Sequence, residues 1–136
     1  MNDFNRSIIE EFRANHGKVG GPFDGAPIVL LTTTGAKSGT VRVNPLAALP
    51  GDDDILYVFA SKGGAPSNPD WYHNVVAHPD VEVEFGDERF TATATPVTGE
   101  ARDRLFAEQV RRMPAFGDYE RQTTRVIPVV ELRRRR

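Results

Sequence analysis

The stretch VEVEFGDERFTATATPV, Val81 to Val97, decides the fold class. Apolar and polar residues alternate through VEVEF, the period of a strand with one wet face. Gly86-Asp87 supplies the two central residues of a tight hairpin turn. Counting outward from that turn sets Glu84 opposite Arg89 and Val83 opposite Phe90. Charge then meets charge on one face and apolar meets apolar on the other. A slip of one residue would carry the valines onto the wet face, so this register is self-consistent. The chain is expected to build an antiparallel sheet.

Other segments extend that sheet. Ile28 to Thr34 is β-branched and apolar, and Val41 to Leu49 forms a second strand after the turn GAKSG, interrupted or bulged at Pro45. ILYVFA, Ile55 to Ala60, reads as a third, well-buried strand. RVIPVVEL, Arg125 to Leu132, is the last, with Pro128 marking an edge or bulge. Phe4, Ile8 and Phe12 recur every four residues and predict an amphipathic helix from Asn5 to His16, stopped by Gly17, Gly20 and Gly21. Asn68-Pro69-Asp70 reads as a helix start with cap, proline and first-turn acid, and His78 before Pro79 ends that helix. Thr98 caps a third helix from Gly99 to Met113. With short turns between most strands, the expected fold is α+β, a mostly antiparallel barrel of about six strands with helices packed outside. Residues 1–20 form an N-terminal helix and linker, and residues 21–136 the barrel domain.

Bulk properties narrow the function. The 136 residues carry 39% hydrophobic and 26% charged side chains, an ordinary balance for one domain with a real core. A net charge of −2 argues against nucleic acid as a partner. With no cysteine, disulfides and thiolate chemistry are excluded and a cytoplasmic setting is favoured. No apolar run is long enough for a spanning helix, and the N-terminus lacks the pattern of a signal peptide. The closing RRRR reads as a solvated, frayed end.

The three lysines are unusual in their company. Lys18 sits in HGKVGG, Lys37 in GAKSG and Lys62 in ASKGG. GAKSG is no Walker loop, because it opens a strand rather than a helix. Its glycines still let backbone N–H groups converge on an anion while Lys37 supplies charge. Lys37, Ser38 and Arg42 can face one groove, and Ser61 and Lys62 are held at the end of a buried strand. The helix start at Asn68 to Trp71 is itself an attractor of anions. Trp71, the single tryptophan, is either a core residue or a wall for a flat ring. His16, His73 and His78 lack metal-ligand spacing, no nucleophile elbow is present, and Asp52 to Asp54 read as a solvated turn. No metal site is expected. With no acid–base pair in view, an enzyme of this sequence needs a cofactor for the hard chemistry.

LLTTTGAKSGTVRVNPL, ASKGGAPSNPDWYHNVVAHPDVEVE and TTRVIPVVEL together resemble the deazaflavin-dependent nitroreductase family, actinobacterial-type oxidoreductases that include quinone reductases and use coenzyme F420. The likeness runs from about Ile28 to Leu132. It implies a split β-barrel and hydride transfer from the reduced deazaflavin to a quinone or nitroaromatic acceptor. The cofactor's phosphate and oligoglutamate tail would need cations. By this resemblance Gly35, Ala36, Lys37 and Ser38, with Arg42, Val43, Asn44, Pro45 and Leu46, line the cofactor. Ala60, Ser61 and Lys62 cover the ring region, and Asp70, Trp71, Tyr72, His73 and Asn74 complete the pocket. Lys18 would reach toward the glutamate tail. Ser61 would hydrogen-bond the acceptor or the developing anion, and Tyr119 would donate a proton or pack on the acceptor. Nitroimidazole-reducing members carry several tyrosines where RRMPAFGDYERQ has only Tyr119, so quinones or other flat acceptors fit better. The alternatives are an FMN-dependent oxidoreductase of the same barrel type and a non-catalytic F420 carrier. Further expectations are a monomer or homodimer, and peripheral contact of the N-terminal helix with the inner face of the plasma membrane.

Overall fold

The computed structural model describes residues 3–20, 26–52 and 54–135. Gly21, Asp53 and Arg136 lie outside the described residues, as does part of the boundary expected near residue 20.

Six strands close into a barrel: β1 (Ile28–Thr34), β2 (Val41–Pro50), β3 (Ile55–Phe59), β4 (Asp80–Phe85), β5 (Glu88–Val97) and β6 (Val129–Arg134). Their order around the barrel is β1-β2-β3-β6-β5-β4, and every neighbouring pair is antiparallel. Glu84 faces Arg89 and Val83 faces Phe90, the register set by the Gly86-Asp87 turn. The charged face is wired differently from the expectation, however. Arg89 bonds diagonally to Glu82 at 3.1 Å, and Glu84 instead holds Arg13 of α1 (Asp3–Ala14) at 2.9 Å.

β1 is apolar at successive positions because both its faces are covered. Val29 and Leu31 point into the barrel with Val58, Val83, Val130 and Leu132. Ile28 and Leu30 point outward and pack under Ile8, Ile9 and Phe12 of α1. A strand buried on both sides loses the alternation of a one-sided strand. On the far side, α3 (Gly99–Arg112) and α4 (Ala115–Arg121) cover Leu49, Phe59 and Val129 with Phe106 and Phe116. α2 (Asp70–Ala77) sends Trp71 and Val75 into the barrel's own core, next to the small Ala92 and Ala94.

Several expectations are corrected here. β2 runs through Pro45 unbroken, with Pro45 opposite Leu30. Gly35 N–H donates to Thr40 O and Ala48 N–H to Pro27 O, which fixes the ladder's parity. Leu30–Pro45 falls on a pair that exchanges no backbone bonds, so the missing proline N–H costs the β1 ladder nothing. β3 joins β2 only from Ala48 onward.

α1 spans Asp3–Ala14 rather than Asn5 to His16, and β6 starts at Val129 rather than Arg125. At α2 the cap position is Pro69, and at α3 Thr98 makes no side-chain cap bond. Arg133 to Arg135 are not frayed. Arg133 and Arg134 pair with Thr93 and Ala92 in the sheet, and Arg133, Arg134 and Arg135 reach Glu131, Glu88 and Asp80. α4 was missed because AFGDYER holds a glycine and no stripe longer than two turns.

Candidate functional site

The turn between β1 and β2 is built to present one lysine. Gly35 N–H donates to Thr40 O at 2.8 Å, Gly39 N–H to Gly35 O at 3.0 Å, and Thr40 N–H to Ser38 Oγ at 3.1 Å. A Cβ on Gly35 would stand 2.5 Å from Ser38 Oγ, so a larger residue there would push the Ser38 hydroxyl off its bond to the Thr40 N–H. Gly39 takes φ +70, which glycine adopts freely. The turn's own bonds thus occupy the Ser38 oxygen, and Lys37 is left exposed at the tip.

A second element brings Lys62. After β3 the chain enters a left-handed turn, with φ +48 at Lys62, +61 at Gly63 and +84 at Gly64. The two glycines take these values at no steric cost, whereas Lys62 carries a Cβ there. Lys62 Nζ lies 3.5 Å from Ser67 Oγ.

α2 ties these elements together. Asn74 Oδ1 accepts the Ala36 N–H at 3.0 Å, and its Nδ2 donates to the buried Thr33 Oγ1 at 3.1 Å. Asn74 is 7% exposed, so its amide locks helix to turn rather than reaching out to a ligand.

Between these elements runs an open groove of about 1110 Å³. Of the residues named from the sequence, Gly35, Ala36, Lys37, Ser38, Arg42, Val43, Asn44, Lys62, Asp70, Trp71, His73 and Asn74 line it, joined by Asn5 and Pro69. Among the described residues, the lining holds three cationic side chains, Lys37, Arg42 and Lys62, and one carboxylate, Asp70. Among the described residues no group of acids, histidines and cysteines could hold a metal ion.

Other named residues sit behind the groove or away from it. Leu46 and Tyr72 pack against the barrel core, and Ala60 is fully buried within it. Pro45 is half-buried on β2 outside the lining. Ser61 is buried, and Tyr119 stacks edge-on against Phe116 with 5.2 Å between ring centroids. Neither Ser61 nor Tyr119 lines the groove. Trp71 takes both of its readings, since it is 4% exposed in the barrel core and still forms part of the groove floor. Lys18 lies beyond the C-terminus of α1, whereas Asn5 at the other end of that helix lines the groove. Twelve helical residues put about 18 Å between those ends, so Lys18 does not join the other two lysines.

One residue passed unread in the sequence. Arg125 donates to Ala65 O at 2.9 Å, Ala60 O at 3.1 Å, Asn68 Oδ1 at 2.7 Å and Ser61 O at 2.8 Å. Its only sequence signal was a lone arginine in TTRVIP with no acid beside it. Burial pushes its pKa below the ordinary arginine value.

The comparisons with known proteins converge. Residues 4–133 match a family model described as F420H(2)-dependent quinone reductase. The F420H(2)-dependent quinone reductase Rv1261c of Mycobacterium tuberculosis is 41% identical over 128 residues, covering 91% of this chain and 85% of that protein. A solved F420-H2 dependent reductase, FDR-A, superposes with a TM-score of 0.71 at 42% identity, covering 78% of this chain and 93% of that one. A second solved chain, described as a domain-swapped dimer, gives a TM-score of 0.73 at 38% identity over 93% of this chain and 95% of that one.

Proposed function

Since the chain belongs to the F420H(2)-dependent quinone reductase family, we propose that its groove grips the acidic part of reduced coenzyme F420 while a quinone is reduced beside it. The carrying observation is the meeting of Lys37, Arg42 and Lys62, from a turn, a strand and a loop, on one groove. Those three cations share the lining with one carboxylate, in a chain whose net charge is −2. Such a local excess favours a ligand with several negative charges. The volume is at the upper end of, or above, the roughly 300–1,000 Å³ of ordinary small-ligand sites, which suits a tricyclic ring with a tail.

Lys37 and Arg42 would hold the phosphate and carboxylates, with Lys62 closing the site from the opposite loop. Bound reduced F420 supplies the hydride. Hydride addition turns a quinone into a hydroquinone monoanion, which then takes one proton. His73 is the imidazole on the groove lining, three residues after Asp70 on α2, and we assign that proton to it. Ser61 and Tyr119 are supported less well, because both lie outside the lining. FMN would offer Lys37 a phosphate but no polyanionic tail, so three cations favour the deazaflavin.

The domain-swapped relative supports a homodimer. No helix among the described residues is long and apolar enough to cross a membrane. Peripheral contact through α1 would rest on Phe4, which is 58% exposed, because Ile8, Ile9 and Phe12 are spent on the barrel. A cytoplasmic enzyme meeting its quinone at the inner membrane face is the setting we propose.

Anaerobic mixing of the protein with reduced F420 and a short-chain menaquinone analogue tests the reading. Oxidation of the cofactor that requires both protein and quinone is expected. Tight binding with no turnover across a quinone panel would point to a carrier, and displacement of F420 by equimolar FMN would point to a flavin enzyme.

A further inference from the structure

Arg125 lies between α4 and β6, outside the groove lining, yet its guanidinium is the hub around which residues 60–68 wrap. It bonds the carbonyls of Ala60 and Ser61, then Ala65 beyond the left-handed turn, then Asn68 just ahead of α2. All four acceptors are neutral. Among the described residues no ion pair joins Arg125 to a carboxylate, so its hydrogen bonds go to the loop that carries Lys62.

The turn needs outside support. Its own bonds are Gly64 N–H to Ser61 O at 2.9 Å and Ala65 N–H to Lys62 O at 3.1 Å. Lys62 occupies a backbone region that is sparsely populated for residues with a Cβ, and such conformations persist only where the surroundings over-determine them. Ser61 O accepts twice, from Gly64 and from Arg125, so the guanidinium grips the carbonyl that also closes the turn. From the other side, α4 abuts the turn so closely that a Cβ on Gly64 would meet Tyr119 O at 3.0 Å.

We propose that Arg125 is the positioning residue of the groove: acting through the carbonyls of Ala60, Ser61 and Ala65 and the amide oxygen of Asn68, it fixes the left-handed turn that delivers Lys62 to the ligand. The inference rests on the proposed F420 site for its ligand, but not for its geometry. A planar fork reaches acceptors spread around its rim, whereas a lysine ammonium at the same place offers three donors from a single atom and cannot span them.

The test compares wild type with Arg125→Lys, which keeps the charge, and with the milder Asn68→Ala, which removes one acceptor and guards against a misfolded first variant. Amide hydrogen exchange is read without cofactor, and F420 affinity by fluorescence titration. Arg125→Lys should speed exchange at Gly64 and Ala65 about tenfold while the Val58 amide in β3 stays at its wild-type rate, and should weaken F420 binding about tenfold, the scale of a lost hydrogen bond to a charged group. Asn68→Ala should move both readouts in the same direction by less. Adding Lys62→Ala to Arg125→Lys should cost no further affinity, since the lysine has already lost its placement. Unchanged exchange at Gly64 and Ala65, equal acceleration at Val58, or a full additional loss from Lys62→Ala would overturn the proposal. Expected exchange changes in a protein whose wild type binds no F420 would overturn the ligand assignment and leave the loop's dependence on Arg125 standing.

Discussion

Asn74 Oδ1 accepts the Ala36 N–H at 3.0 Å, so the helix that plugs the barrel also holds the turn that carries Lys37. The same amide donates to Thr33 Oγ1, a residue 1% exposed. Asn74→Ala removes both bonds and leaves a backbone donor without its partner. The expected cost is about 2–3 kcal/mol of stability, read by urea denaturation, together with weaker F420 binding as the turn loosens. A loss under about 0.5 kcal/mol would show that the turn does not depend on this helix.

Lys62 separates fold from function at one position. Its φ of +48 costs a residue with a Cβ about 1–2 kcal/mol, and glycine is free of that cost. Glycine also gains about 0.4–1 kcal/mol of freedom in the unfolded chain, which acts the other way. Lys62→Gly is therefore expected to leave stability unchanged or raised by up to about 1.5 kcal/mol while F420 affinity falls. Thermal unfolding and a cofactor titration on one preparation check both signs. A clear loss of stability would mean that the lysine side chain, and not its charge alone, is structural.

His73 lines the groove, and Tyr119 packs on Phe116. His73→Gln should lower the turnover number for quinone reduction about 100-fold with little change in F420 affinity, the range of a lost general acid. Tyr119→Phe should leave turnover within about twofold, against the role its phenol had by resemblance. Steady-state kinetics at saturating cofactor decides it, and the reverse ranking would return the proton to Tyr119.

The hairpin register, the six strands and the main helices were legible because each is written in local signals. A Gly-Asp turn sets the Glu84–Arg89 pairing, and the period of four in Phe4, Ile8 and Phe12 gives α1. What stayed hidden depends on partners distant in sequence. Pro45 reads as a break until its pairing with Leu30 shows that its nitrogen owes β1 no bond. Arg134 and Arg135 look frayed until Glu88 and Asp80 arrive from two other strands. At the site, glycine-flanked Lys37 and Lys62 pointed to the groove, and the same pattern misled at Lys18, since spacing cannot show which end of α1 faces the cavity. Arg125 was invisible because its partners are carbonyls and an amide 57 to 65 residues away.

Acid stability offers a check remote from the groove. Hydrogen bonds from Arg111 and then Arg112 hold the Glu108 carboxyl on α3 at about 2, below its ordinary value of 4.5. A depressed folded value stabilises fully above the ordinary pKa and is lost as the proton binds. The advantage of wild type over Glu108→Gln should therefore be constant above pH 4.5 and shrink between 4.5 and about 2. Because the group is exposed, the difference in thermal midpoint should be small and should fall further with added salt. A difference that grows on acidification would contradict the sign.

The central claim is that Lys37, Arg42 and Lys62 act together on the anionic end of F420. Fluorescence titration of F420 species with short and long glutamate tails, against wild type and Lys37→Ala at low and high salt, tests it most directly. The expected result is tighter binding of the longer tail, weakening with salt, and a loss of about 1–3 kcal/mol in Lys37→Ala. Affinity indifferent to tail length, to salt and to Lys37 would contradict the account.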